Sequence, residues 1–65
     1  MENKIYYTIE ECNGYKNIQV YRIKNNQPKI WFQIEARNYE YSENEIQFWL
    51  DNNGFDEMNF EMILL

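Results

Sequence analysis

Ile5-Tyr6-Tyr7-Thr8-Ile9-Glu10-Glu11-Cys12-Asn13-Gly14-Tyr15-Lys16-Asn17-Ile18-Gln19-Val20 is the stretch that decides the fold. Asn13-Gly14 lies between two alternating apolar–polar runs. Asn-Gly between two such runs is the strongest short hairpin signal. A two-residue turn sets Cys12 against Tyr15, and the ladder then pairs Ile9 with Ile18, Tyr7 with Val20 and Ile5 with Arg22. The other face pairs Thr8 with Gln19 and Tyr6 with Tyr21. A one-residue slip would scramble both faces, so the clean sorting supports this register.

Working outward, Ile30-Trp31-Phe32-Gln33-Ile34-Glu35-Ala36 alternates with period two. A turn at Asn25-Asn26-Gln27-Pro28 joins it to the hairpin. Side-chain parity favours a three-residue loop, Asn25 to Gln27, which sets Val20 opposite Phe32 and Ile18 opposite Ile34. The expected core face carries Ile5, Tyr7, Ile9, Ile18, Val20, Ile30, Phe32 and Ile34.

Ser42-Glu43-Asn44-Glu45 has the spacing of a capping box. The spacing predicts a helix to about Asn53, stopped by Gly54. Ile46, Trp49, Leu50 and Asn53 share one side of it. The tail, Met58 to Leu65, alternates and then runs apolar. It reads as a strand, with a short helix as the alternative, since Glu, Met and Leu are good helix formers. The whole is an α+β domain, β-β-β-α-β, spanning residues 1–65: a three-stranded antiparallel meander covered on one face by one helix. The C-terminal strand is expected parallel to its neighbour, in the order 3-2-1-4.

Sixty-five residues allow one domain with a thin stability margin. One cysteine and no histidine remove an internal disulfide and most zinc sites. Aromatics, at 18% of residues, are the remaining source of core area. The absence of histidine also removes the common nucleophilic triads and the usual general base near neutral pH. Cys12 sits beside Glu10 and Glu11, which raise rather than lower a thiol pKa. Glu43 and Glu45 are two apart on a helix and do not face each other. Asp51-Asn52-Asn53-Gly54 lacks the alternating ligands of a calcium loop and reads as a helix C-terminus. No catalytic residue, metal site or cofactor is expected, and so no enzyme.

The net charge of −5 argues against direct binding to nucleic acid or to an anionic membrane. It is also lopsided. Residues 1–37 hold six bases and four acids, +2, whereas residues 38–65 hold seven acids and no base, −7. Met1-Glu2-Asn3-Lys4 leads straight into a strand pattern, so no secretory leader is expected. No apolar run approaches a membrane span. With an unpaired cysteine, the expected location is the cytoplasm, that of a host if the gene is phage-borne.

Two surfaces look unfinished. In the register above, Tyr6, Tyr21 and Trp31 form a row on the sheet face away from the helix. Phe48 falls opposite the Ile46/Trp49/Leu50 stripe, among acids, where Tyr39, Tyr41 or the tail could fold over it. Aromatic residues of this kind are enriched at interface hot spots. The expectation is a small acidic binding protein. Its partner-binding residues would be Tyr6, Tyr21, Trp31, Phe48, Glu43, Glu45, Asp51, Asp56 and Glu57. The most concrete version is a phage- or mobile-element-encoded inhibitor that docks on a basic, nucleic-acid-handling host defence protein or nuclease and occludes it. The alternative is an assembly subunit, a homodimer joined through the aromatic sheet face.

Overall fold

The computed structural model describes residues 3–65; Met1 and Glu2, on which the expectation about a secretory leader partly rests, lie outside the described residues. The elements are β1 (Asn3–Glu11), β2 (Tyr15–Lys24), β3 (Gln27–Arg37), α1 (Ser42–Asn52) and β4 (Phe60–Leu64). The strands form one sheet in the order β3-β2-β1-β4, with β1 antiparallel to β2, β2 antiparallel to β3, and β4 parallel to β1. The tail is therefore a strand. The helix packs on one face of the meander, and the fold is α+β.

The first hairpin has the register that Asn13-Gly14 dictates. Tyr6 pairs with Tyr21, Tyr7 with Val20, Thr8 with Gln19 and Ile9 with Ile18. Gly14 takes φ +85, and the Cys12 N–H donates to the Tyr15 carbonyl at 2.8 Å.

The second hairpin differs from expectation. Its turn has two residues, Asn25 and Asn26, with Lys24 paired to Gln27. Both asparagines have positive φ, 53 and 62, as the two-residue hairpin turn requires. A two-residue turn should put Phe32 on the wrong face, but β3 carries a bulge. Tyr21 pairs with Ile30 and Val20 with Phe32, leaving Trp31 as the extra residue. The bulge restores the expected Val20–Phe32 and Ile18–Ile34 pairs below it and reverses the faces above it. Ile30, expected in the core, is on the outer face and 55% exposed. Trp31, expected on the outer face, turns to the helix side.

What turns it there is aromatic packing. Trp31 meets Phe32, Trp49 and Phe55 edge-on, at centroid distances of 5.0, 5.6 and 4.9 Å, and Phe60 at 5.8 Å. Trp49 from the helix stacks flat on Phe32 at 3.6 Å. Beside this cluster lies the aliphatic core of Ile5, Ile18, Val20, Ile46 and Leu50, all fully buried. Ile9, although on the core face, is 38% exposed.

The helix ends also depart in part from the sequence pattern. Tyr41, not Ser42, is the N-cap, and no side chain caps the helix. Ser42 is buried in the first turn instead, so the capping box does not form. The C-terminus closes as expected. Gly54 takes φ +88, and the Phe55 N–H returns to the Leu50 carbonyl at 3.0 Å. That closure folds Phe55 back onto Trp31 and Trp49.

The asparagine turn makes a direct prediction. Asn26→Gly should stabilise the fold by about 0.5 kcal/mol. Asn26→Val should destabilise it by about 1–2 kcal/mol, because a β-branched residue resists positive φ. Urea unfolding midpoints of the two variants check this.

Candidate functional site

The helix presents its outer face as the first candidate. Ile46 and Leu50 point inward and are fully buried, which forces Phe48 outward. Phe48 is 66% exposed; Tyr39 and Tyr41 are exposed themselves, and neither covers it. Glu45 and Asp51 lie three residues to either side and share its face. Asp51 accepts a hydrogen bond from the Gln47 amide at 2.8 Å. The Asn52 and Asn53 amides donate to the carbonyls of Phe48 and Trp49, each at 2.7 Å, so Asp51 to Gly54 is a helix C-terminus as read. Asp56 and Glu57 continue the exposed acidic surface in the turn that follows.

Glu43 belongs elsewhere. Its carboxylate accepts a 2.7 Å hydrogen bond from the Tyr7 hydroxyl. This bond joins the middle of β1 to the first helical turn. Burial, then the hydrogen bond and negative charge of Glu43, with a lesser contribution from Tyr41, push the Tyr7 phenol from 10.0 up to about 12. Glu43 is half-buried and holds the helix to the sheet.

The outer sheet face is the second candidate. Tyr6 and Tyr21 are neighbours there, as expected, but Trp31 is not with them. Ile30 takes its place beside Tyr21, Ile63 of β4 pairs with Tyr6, and Ile23 lies two residues further along β2. Period-two reading missed Ile30 because a bulge leaves no mark in the alternation of residues 30–36. It missed Ile63 because the unbroken apolar run from Met62 to Leu65 carries no alternation to show which face a residue takes.

The cations gather at the end of the sheet that carries the Asn25-Asn26 turn. An open cavity of about 400 Å³ is lined by Asn3, Lys4, Tyr6, Arg22 and Ile23. A smaller one of about 180 Å³ is lined by Arg22, Lys24, Lys29, Ile30 and Trp31. The Arg22 guanidinium lies 4.5 Å from the centre of the Trp31 ring, a cation–π contact. Lys16 is buried under the loop after β3, where its ammonium donates to the Glu40 carbonyl. Its even-numbered position on β2, in step with Ile18 and Val20, is the signal that could have placed it there.

Among the described residues no group of three or more His, Cys, Asp or Glu is arranged to hold a metal ion. No helix among them is long and apolar enough to cross a membrane. No family model, curated protein or solved structure matches this chain. Its function has to be read from its own geometry.

Tyr7 generates a pH prediction. The folded phenol keeps its proton to higher pH than the unfolded one, so its contribution is fully present below about pH 10 and is lost as the pH rises from 10 to 12. Tyr7→Phe should be less stable by about 1–2 kcal/mol at neutral pH, where it lacks the charge-assisted bond. Its stability should also fall less steeply over that alkaline window. Urea midpoints of both proteins at about pH 8 and pH 11 measure the difference.

Proposed function

We propose that this protein is a non-enzymatic binding domain that docks on a protein partner through the outer face of α1. The observation that carries this reading is Phe48, a large apolar side chain two-thirds exposed on a polar helix face that also carries Asn44, Glu45, Asp51 and Asn52. An exposed aromatic ringed by polar groups has the anatomy of an interface anchor: the ring supplies desolvation energy and the rim supplies selectivity. The rim here is Glu45 and Asp51, extended by Asp56 and Glu57, and it favours a cationic partner surface. Carboxylates with no base interspersed speed association with such a surface and repel acidic competitors.

The most concrete partner is a nucleic-acid-handling protein with a basic groove, which the domain would occlude. A phage- or mobile-element-encoded inhibitor of a host nuclease fits that description. The carboxylates are too sparse to imitate a duplex, which carries one charge per ~1.7 Å. Affinity then rests on Phe48, with the acids setting the encounter rate.

Wild-type protein, Phe48→Ala and Glu45→Lys/Asp51→Lys serve as parallel baits in a host lysate at low and moderate salt. Glu43 is left intact in these variants because it holds Tyr7. A partner retained by the wild type should dissociate about tenfold or more faster from Phe48→Ala, the loss typical of a hot-spot residue. It should associate more slowly with the charge-reversed bait, and more slowly in salt. Equal retention by all three baits at both salt concentrations would show that this face is not the docking surface.

A further inference from the structure

From Cys12 to Ile34 the chain has no acid, although it holds eleven in all. This stretch contains β2 and most of β3, and at the Asn25-Asn26 end the two strands collect three cations on one face. Arg22 and Lys24 alternate in step with Ile18 and Val20, so both lie on the helix side of the sheet. Lys29 is the direct cross-strand partner of Arg22 and shares that face. The bulge turns Trp31 to the same side. Lys24 and Lys29 are exposed, and Arg22 is half-buried.

Two cations directly opposite each other on paired strands destabilise the ladder, where an opposite-charge pair would support it. Lys24 adds a third charge two residues along. Two bases elsewhere are given partners: the Lys16 ammonium donates to the Glu40 carbonyl, and the Arg37 guanidinium donates to the Tyr39 hydroxyl. Among the described residues, the side chains of Arg22, Lys24 and Lys29 make no such bond. Arg22 is nonetheless held in place. Its guanidinium lies over the Trp31 ring, 4.5 Å from the centre, and Trp31 is itself fixed by Phe32, Trp49 and Phe55. A guanidinium stacked on an indole keeps its N–H edge free to grip two oxygens of one anion, and lysines beside it act as point charges.

We propose that the cavity of about 180 Å³ lined by Arg22, Lys24, Lys29, Ile30 and Trp31 is a binding site for a phosphate group, as the free ion or as a phosphomonoester. One guanidinium already matches both oxygens of a carboxylate. A tetrahedral dianion has a further oxygen for the lysines and a second charge to relieve the Arg22–Lys29 repulsion. The cavity is smaller than the roughly 300–1,000 Å³ of pockets that enclose whole small molecules. It takes the phosphate and leaves the rest of an ester outside. A nucleic-acid strand is the weaker occupant, because Arg22 already covers the Trp31 ring and the net charge of −5 opposes a polyanion. The site shares no residue with the Phe48 surface, and either can fail without the other.

Titration of isotope-labelled protein with sodium phosphate, followed by nuclear magnetic resonance, tests the proposal. The pH is about 7.5, where a phosphomonoester is mainly a dianion, and sodium chloride holds the ionic strength constant. The Arg22 side-chain N–H, the Trp31 indole N–H and the backbone amides of Lys24 and Lys29 should shift and saturate in the millimolar range. Phosphoserine should move the same signals. Tighter binding of phosphoserine assigns the site to an ester, and tighter binding of phosphate assigns it to the free ion. Arg22→Lys keeps the charge, loses the paired N–H edge and should weaken binding about fivefold. Lys29→Gln, an exposed substitution, removes one charge and should weaken binding to a similar extent with an unchanged circular dichroism spectrum. Shifts that fail to saturate by about 50 mM, beyond the reach of even a weak specific site, would overturn the proposal. So would equal shifts with acetate, or affinity unchanged in both variants. Tighter binding of a thymidine oligonucleotide lacking terminal phosphates would overturn it in favour of a nucleic-acid strand.

Discussion

The single extra residue in β3, Trp31, is the constraint on which the rest of the molecule depends. A two-residue asparagine turn and a period-two strand cannot both put Phe32 under the helix. The chain reconciles them by bulging at Trp31. The cost is a disrupted ladder at one point. The return is an indole set among Phe32, Trp49, Phe55 and Phe60. Each buried aromatic removes about 150–250 Å² from water, and each well-placed ring pair adds about 0.5–1.5 kcal/mol. In a chain with neither a disulfide nor a metal centre among its described residues, such a cluster is the main means of holding a short helix against the sheet.

Consequences run outward from the bulge. Gly54 ends the helix so that Phe55 folds back under it, and Phe60 opens β4 on the same side. The Tyr7–Glu43 bond fixes the other end of the helix. Between these two attachments Ile46 and Leu50 are sealed, and Phe48 is left facing solvent. On the far side, the same bulge replaces Trp31 by Ile30 in the row across the sheet. Both candidate binding surfaces thus follow from how the core was closed.

Much of this was legible in the sequence, because it rests on local chemistry. Asn13-Gly14 fixes a two-residue turn and with it the register of β1 and β2, and Gly54 fixes the helix end. The helical stripe of Ile46, Trp49 and Leu50 leaves only one direction for Phe48. The remainder depends on contacts between residues far apart in the chain. Whether Trp31 lies above or below the sheet is decided by Trp49, Phe55 and Phe60, not by its neighbours. Ser42 fits a cap by its spacing, but burial draws it into the first turn and leaves Tyr41 at the boundary. Glu43 looks like one more solvent-facing acid until Tyr7 is found beneath it.

The placement of Trp31 is the claim on which the remaining structure turns, and proton–proton nuclear Overhauser effects from its indole ring test it most directly. The structure predicts cross-peaks from the Trp31 ring to the rings of Phe55 and Trp49, and none to the rings of Tyr6 or Tyr21. Cross-peaks from Trp31 to Tyr21, with Ile30 side-chain protons in contact with Val20 or Leu50, would mean an unbulged β3. That result would contradict the core and the outer face together.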